Sequence, residues 1–541
     1  MRRHSGISLL PAGTGAGLRA VSRHRSDRPG NLNSLMICLS LTRNTASEDL
    51  RDVRRNLAWI DLVELRVDRL SRTLPEVISR FPAELPLRGR GQGRPPCILT
   101  IRRKEDGGDF SGSETERREL LEVGIRSGEY EYLDLELDLE EDEEGRRLRD
   151  LAEGEGCTII RSAHDPEGVS ADPAELYRAL SRRASEIPKL AVTPRGSAEL
   201  DRILELMAAE RHSGRRHVIL GMGPVGVPTR VAAPMLGGYI SYASAEVGTE
   251  VAAAPGHMTP RMLAETYRYR EQSADTALFG VVGNPVLHSA SPAFHNRQFT
   301  EKNLDAVYVP FQVDDLEPFF RSVGRLSVRG LSVTVPHKEG VIDYLDESDE
   351  SVVPVGACNT VLITDGRKRG VNTDIPGFML PLERAIGASG PEAFDGMRAT
   401  VIGAGGAARA VVFALLRVGV RLCVVNRTRA RADRMVTEIA DALGVAKPAV
   451  AELDPAAAGL IEEHGTLIVQ TTPLGMSPRE DVDPLPFYEF RGHEIAYDLI
   501  YAPERTRFLA RADEAGCLTI SGTRMFEEQA LAQAALFEHI L

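Results

Sequence analysis

The chain has 541 residues and a formal net charge of −13, with 65 Lys and Arg against 78 Asp and Glu. That length exceeds what one core can serve and implies roughly two to four domains. The acidic balance argues against a general nucleic-acid binder, which would show a basic patch, and no apolar run approaches the about 20 residues that span a bilayer.

Residues 1–35 are rich in Arg, Ser and Gly and hold one acid, Asp27. They are expected to be a disordered tail or a mis-assigned start ahead of Met36, with a transit peptide as the alternative. From Met36 onward, short apolar runs alternate with amphipathic segments. The predicted strands are 36–42, 61–68, 97–102, 131–138, 157–165, 187–194, 217–223 and 239–244. Helix-like stretches fall at 47–59, 114–127, 173–185 and 196–212. Thr45 to Ser47 followed by Glu48 reads as a helix start. Eight strands alternating with helices predict a (β/α)8 barrel; an open doubly wound sheet competes but usually has fewer strands.

In such barrels chemistry gathers where strands end. Those ends carry Glu64, Arg66, Asp68, Arg102, His164 and Asp165, with Arg230 in the loop past Met222. Lys189 sits in the apolar run IPKLAV. It either snorkels to water or is kept dry as a nucleophile by apolar neighbours. A lysine, a histidine and several guanidiniums at one mouth suit a small carboxylate that carries a carbonyl. The six cysteines (Cys38, Cys97, Cys157, Cys358, Cys423, Cys517) form no CxxC pair and read as buried thiols in a reducing compartment.

VELRVD, LTIR, the histidine of SAHD, IPK, GMG with Arg230, and APG at 254–256 together resemble type I 3-dehydroquinate dehydratase. The resemblance implies that Lys189 forms a Schiff base with 3-dehydroquinate and that His164 is the general acid/base. Glu64, Arg66, Arg102 and Arg230 would bind the substrate. His257 stands where the family has Gln and either replaces it as a hydrogen-bond donor to the substrate or is an ordinary loop histidine; Ala253 stands where the family often has Ser or Thr, and Asp106 where it usually has Glu.

After an expected charged helix at 261–272, the second half opens with strand, turn and helix in TALFGVVGNPVLHSASP (276–292). Near 399 an apolar strand runs into Gly403, Gly405, Gly406 and Ala408, then an Ala-rich helix and a second strand. That is the setting a dinucleotide pyrophosphate needs. The second strand ends in Asn426, Arg427 and Thr428, with Arg431 following. Without a carboxylate for the ribose hydroxyls, and with guanidiniums for a 2′-phosphate, NADP is expected rather than NAD.

HSASP, SVTVPHK, GACNT, VNTD, NRT, TTPLGM, DLIYAPERT and GTRMFEEQA resemble shikimate dehydrogenase, in that family's order. The resemblance implies Lys338 and Asp374 as the catalytic pair. It places the substrate carboxylate on Ser289 and Ser291, and the ring and hydroxyls on Thr334, Asn359, Tyr501 and Gln529. Gly522 would stand on the cofactor side. Ser332 gives a plant-like form of the SVTVPHK motif.

The expected architecture is therefore α/β: residues 36–272 as a TIM barrel, 276–373 as a substrate-binding domain, 374–521 as a Rossmann NADP-binding domain, and 522–541 as a helix returning to the substrate domain. The resemblance implies a bifunctional shikimate-pathway enzyme acting on 3-dehydroquinate, 3-dehydroshikimate and shikimate. No metal, nucleic acid or membrane is expected as partner, and a cytoplasmic setting and a homodimer are expected. Two alternatives are a non-catalytic sensor, which would be expected to lose Lys189, His164, Lys338 or Asp374, and a dehydrogenase half preferring quinate.

Overall fold

The computed structural model describes residues 35–88, 93–140, 142–169, 172–245, 256 and 258–541. The N-terminal tail, Ala253 and His257 lie outside these residues. Eight parallel strands follow one another in space: β1 (Met36–Leu41), β2 (Leu62–Arg66), β3 (Cys97–Thr100), β4 (Tyr132–Glu136), β5 (Thr158–Asp165), β6 (Ile187–Val192), β7 (Val218–Gly221) and β8 (Ile240–Ser244). β8 closes on β1 through the register Met36↔Ile240. β7 and β8 share no ladder; before them, Tyr239 N donates to His217 O at 2.9 Å. The barrel is thus nearly closed.

Alternate residues on each strand face the barrel interior. Low in the barrel these are Cys38, Leu62, Ile98, Ile160, Ile187, Val218 and Ile240, which fill it with an apolar plug. Higher up, the same faces carry Ser40, Glu64, Thr100, Asp134, Ser162 and Lys189. The plug supports a polar floor at the mouth. The first helix, Ala46–Asn56, starts where its sequence signal lies, with Thr45 Oγ1 accepting from Glu48 N at 3.3 Å.

The expected helix at 261–272 is reduced to one π-type turn, Met262–Thr266, and the chain then turns at Arg268 with φ of 48°. Tyr267 and Tyr269 are both buried, and burying them pulls the chain off the helical path. A six-stranded mixed sheet follows. Its strands are β9 (Ala277–Gly283), β10 (Ala306–Gln312), β11 (Val328–Val333), β12 (Glu347–Ser348), β13 (Thr360–Thr364) and β14 (Arg367–Val371), in the order β10-β9-β11-β13-β14-β12. A third sheet is wholly parallel: β15 (Arg398–Ile402), β16 (Arg421–Asn426), β17 (Ala449–Glu452), β18 (Leu467–Gln470), β19 (Ile495–Asp498) and β20 (Leu518–Ile520), in the order β17-β16-β15-β18-β19-β20. That order reverses beside β15, the switch point at which doubly wound sheets bind nucleotides. The last helix, Gly522–His539, runs along the helix Asp374–Ile386.

The barrel and the mixed sheet share one apolar core. Leu200, Ile203, Leu204 and Met207 of one helix join Phe319, Val323 and Leu326 of another. Asp201 accepts from Ser322 Oγ at 2.7 Å and pairs with Arg325. Ser197 Oγ donates to Asp314 at 2.6 Å. All six cysteines are free and buried. Among the described residues no helix is long and apolar enough to cross a membrane.

Candidate active sites

Lys189 lies on β6 opposite Ser162 of β5, two residues before His164 on that strand. Its Nζ donates to Asp134 at 2.7 Å and reaches Glu64 at 3.5 Å, and it stands 4.1 Å above the centre of the Tyr242 ring. The expectation of an amine kept dry by apolar neighbours is corrected here. Lys189 is 4% exposed, but two carboxylates surround its tip. A buried lysine requires such partners.

Arg102 links the rest of the site. One arm donates to Asp134 at 2.9 Å, and the other lies 2.7 Å from His164 Nδ1. Because a guanidinium can only donate, Nδ1 accepts and the imidazole is neutral. Burial lowers the His164 pKa well below its usual value, and Arg102 and Lys189 push it further down. Burial pushes the Glu64 and Asp134 carboxyls up. Lys189 with Arg66 outweighs this at Glu64, and Arg102 with Lys189 at Asp134, so both are held below the usual carboxylate range. Glu64 also accepts from Ser40 at 2.7 Å and Thr100 at 3.0 Å.

Arg66 forms a two-pronged pair with Asp68 at 2.9 and 2.7 Å. Arg230 differs from the other arginines: burial brings its pKa down to about 10, and its Nε donates to Gly221 O at 3.2 Å. Among the described residues it pairs with no carboxylate, leaving a guanidinium suited to an anionic group from outside the chain. Asp106 is held by Arg103 at 2.7 Å. Asp134 was not singled out in the sequence. Its signal was an acid at an inward position of EYLDLELD, two residues before Glu136, which likewise lies in the barrel and pairs with Arg117 at 2.9 Å.

In the second half, Lys338 Nζ donates to Asp374 Oδ2 at 2.5 Å. Asn359 Nδ2 donates to the other oxygen, Oδ1, at 2.9 Å and to Thr373 Oγ1 at 2.9 Å. Both amide hydrogens of Asn359 are therefore engaged within the chain. Ser289 Oγ accepts from Ser291 N at 3.2 Å. The phenol of Tyr501 approaches Ser289 and the backbone of Ala290, and its ring packs on Phe526 at 5.2 Å. Gln529 faces the Asp374–Ile386 helix, where a Cβ at Gly377 would come within 2.7 Å of its own Cβ. Thr334 lies one residue past β11, with its N–H donating to Val282 O at 2.9 Å. Ser332 is buried and bonds to Tyr308 and Gln533. Gln533 was another residue missed in the sequence.

The lysine pair meets the glycine loop directly. A Cβ at Gly406 would lie 2.8 Å from Lys338 Cβ, so only glycine lets the two loops touch. Gly403 has φ of 118°, and a Cβ there would meet Thr471 Oγ1 at 2.4 Å. Gly405 caps the helix Gly406–Arg417, whose first turn holds no acid. Asn426, Arg427 and Thr428 end β16 without a carboxylate. Arg427 is exposed and pairs with no acid among the described residues, while Arg431 meets Glu339 at 3.0 Å. Arg431, Glu339 and Ala404 line a cavity of about 540 Å³. A helix N-terminus free of acids beside exposed guanidiniums fits a phosphorylated dinucleotide. Gly522 is locked by backbone, its Cβ position lying 2.3 Å from Leu499 O.

Fold and sites define a lysine-centred barrel enzyme joined to a nucleotide-dependent oxidoreductase. Family models match in the same order: type I 3-dehydroquinase over 37–274, the shikimate dehydrogenase substrate binding domain over 281–361, and shikimate/quinate 5-dehydrogenase over 387–458. A chloroplastic bifunctional 3-dehydroquinate dehydratase/shikimate dehydrogenase of Arabidopsis thaliana is 30% identical over 490 residues, covering 88% of this chain and 77% of the relative. A shikimate dehydrogenase (NADP(+)) of Moorella thermoacetica is 42% identical over 269 residues, 49% of this chain and 88% of the relative. A crystal structure of shikimate 5-dehydrogenase from Thermus thermophilus with NADP(H) and shikimate matches at 33% identity and a TM-score of 0.40, covering 49% of this chain and 94% of that one. The chain belongs to the family of bifunctional 3-dehydroquinate dehydratase/shikimate dehydrogenases.

Proposed function

We propose that the barrel dehydrates 3-dehydroquinate to 3-dehydroshikimate through Lys189, and that the second half reduces that product to shikimate through Lys338 and Asp374. The observation that carries this reading is a lysine–carboxylate pair in each half, Lys189–Asp134 buried at 2.7 Å and Lys338–Asp374 partly buried at 2.5 Å. On this reading the division of labour follows residues 36–272, 276–373, 374–521 and the returning helix 522–541.

In the barrel, Lys189 attacks the substrate ketone as the free amine, its proton passing to the ketone oxygen as that oxygen gains charge. Loss of water gives a protonated imine at the position of Nζ, and Glu64 and Asp134 stabilise its charge. The imine draws electrons from the neighbouring carbon, and His164 removes the proton there. Arg102 covers the Nδ1 lone pair in the free site, so a substrate oxygen that draws Arg102 aside also frees the base. The imidazolium then donates its proton to the departing hydroxyl, water leaves, and hydrolysis of the imine restores Lys189. Arg230 and Arg66 hold the carboxylate and hydroxyls.

Because the His164 pKa is lowered, the neutral base persists as pH falls through the ordinary histidine range. The acid limb of dehydratase kcat/KM is therefore expected well below pH 6.5. A limb centred at or above 6.5 would contradict the assignment.

NADP, named for the Moorella thermoacetica relative above, is the cofactor of the second half. Gly403, Gly405, Gly406 and Ala408 would seat its pyrophosphate, and Asn426, Arg427, Thr428 and Arg431 the 2′-phosphate. NADPH, when bound, supplies the hydride. As the ketone is reduced its oxygen gains negative charge, and Lys338 donates to it and then yields a proton. Asp374 keeps the amine aimed. Ser289, Ser291 and Tyr501 receive the carboxylate, with Thr334 and Gln529 at the hydroxyls.

Replacing Arg427 and Arg431 with alanine is expected to lower kcat/KM for NADPH by about tenfold or more, since each charged contact to phosphate is worth that much, and to leave NADH unchanged. An equal loss with both cofactors would argue against the 2′-phosphate contact. The sensor alternative is not favoured, because all four chemical residues are present and paired. Comparing kcat/KM for shikimate and quinate tests the remaining one; equal or better use of quinate would overturn the substrate named here. A homodimer and a cytoplasmic setting complete the proposal, and light scattering reads the first directly.

A further inference from the structure

Gln533 is 1% exposed, on the last helix one turn beyond Gln529, and neither step above uses it. Its amide is nevertheless fully bonded. Tyr308 donates to Ser332 Oγ at 2.6 Å, and Ser332 donates to Gln533 Oε1 at 2.8 Å. Gln533 Nε2 donates to Thr360 Oγ1 at 2.9 Å and to Asn359 O at 3.2 Å. Thr360 donates to Asn359 Oδ1 at 3.0 Å, and Asn359 Nδ2 donates to Asp374 Oδ1 at 2.9 Å.

The bonds run in one direction. Ser332 has a single hydrogen, and because Tyr308 donates into its oxygen, that hydrogen goes to Gln533. This turns the amide NH2 of Gln533 toward Thr360. Thr360 in turn directs its only hydrogen to Asn359 Oδ1, which also accepts from Thr373 N at 2.8 Å, and the two together leave the Asn359 NH2 facing Asp374. The opposite orientation of Asn359 would set an oxygen against the carboxylate. Tyr308 is itself held, its ring stacked on His295 at 4.4 Å and 20°.

We propose that Gln533 is a positioning residue. Through Thr360 and Asn359, and together with the Thr373 N–H, it orients the carboxylate of Asp374 and thereby the amine of Lys338, so that docking of the C-terminal helix contributes to the geometry of the catalytic pair. The proposal rests on the reading of Lys338 and Asp374 given above.

Gln533→Leu removes all three bonds at similar size. Gln533→Glu keeps the acceptor for Ser332 and puts an oxygen where Thr360 needs a donor. Both are expected to lower kcat for 3-dehydroshikimate reduction by about tenfold, with KM within about twofold and dehydratase activity unchanged. In an Asp374→Asn background, followed in single turnover, the same changes should have little effect. Thr360→Val, which breaks the chain at its middle, should show the same dependence on Asp374. A residue that only supports folding would lower the active fraction in both backgrounds alike. An unchanged kcat, or equal losses in the two backgrounds, would overturn the proposal. Wild-type reduction by Asp374→Asn itself would instead reject the underlying pair.

Discussion

Lys189→Ala is expected to abolish dehydration of 3-dehydroquinate, by at least about 10^4-fold, while NADPH-dependent reduction of 3-dehydroshikimate by the same chain continues at the wild-type rate. The size follows from the loss of nucleophile and electron sink together. Among the described residues of the barrel site the lysine amine is the one group that can form an imine; Asp134, Glu64, Arg102 and His164 lie around it but cannot replace it. Borohydride added with 3-dehydroquinate should reduce the imine, attach the substrate carbon frame to Lys189, and inactivate the dehydratase alone. Dehydration by Lys189→Ala near the wild-type rate would dismiss the imine. Asp134→Asn separates the roles further, because it leaves the lysine but removes the carboxylate that balances the charge of its amine and imine.

The second large effect is expected at the other lysine. Lys338→Ala should lower reduction of 3-dehydroshikimate by about 10^3-fold, the loss expected when a proton donor and a charge stabiliser go at once. Dehydratase activity should be unaffected, since among the described residues Lys338 bonds to Asp374 and packs on the glycine loop. Binding of NADPH, followed by nicotinamide fluorescence, should persist. Loss of binding together with turnover would assign Lys338 to the cofactor rather than to the ketone.

The two lysines show what a sequence carries and what it hides. The eight barrel strands were legible because short apolar runs alternate with amphipathic segments along the chain, and each predicted run lies within two or three residues of its strand. The lysine–aspartate pair of the second half was legible because SVTVPHK and VNTD are distinctive stretches only 36 residues apart at Lys338 and Asp374. The surroundings of Lys189 were not. Its neighbours in sequence are apolar, but adjacent strand residues point to the opposite face. The groups that touch its amine lie 55 and 125 residues away, on β4 and β2. Gln533 was hidden for the same reason, since it bonds to Thr360 across 173 residues. The charged segment after 260 misled in the opposite direction: its charges fit a helix, but burial of Tyr267 and Tyr269 decided the path.

The central claim, that one chain performs two consecutive steps, is tested most directly by supplying 3-dehydroquinate and NADPH together and following nicotinamide absorbance. Steady oxidation of NADPH is expected, with shikimate as the product and with Lys189→Ala oxidising NADPH only when 3-dehydroshikimate is supplied. No oxidation from 3-dehydroquinate, while 3-dehydroshikimate is reduced at full rate, would contradict it.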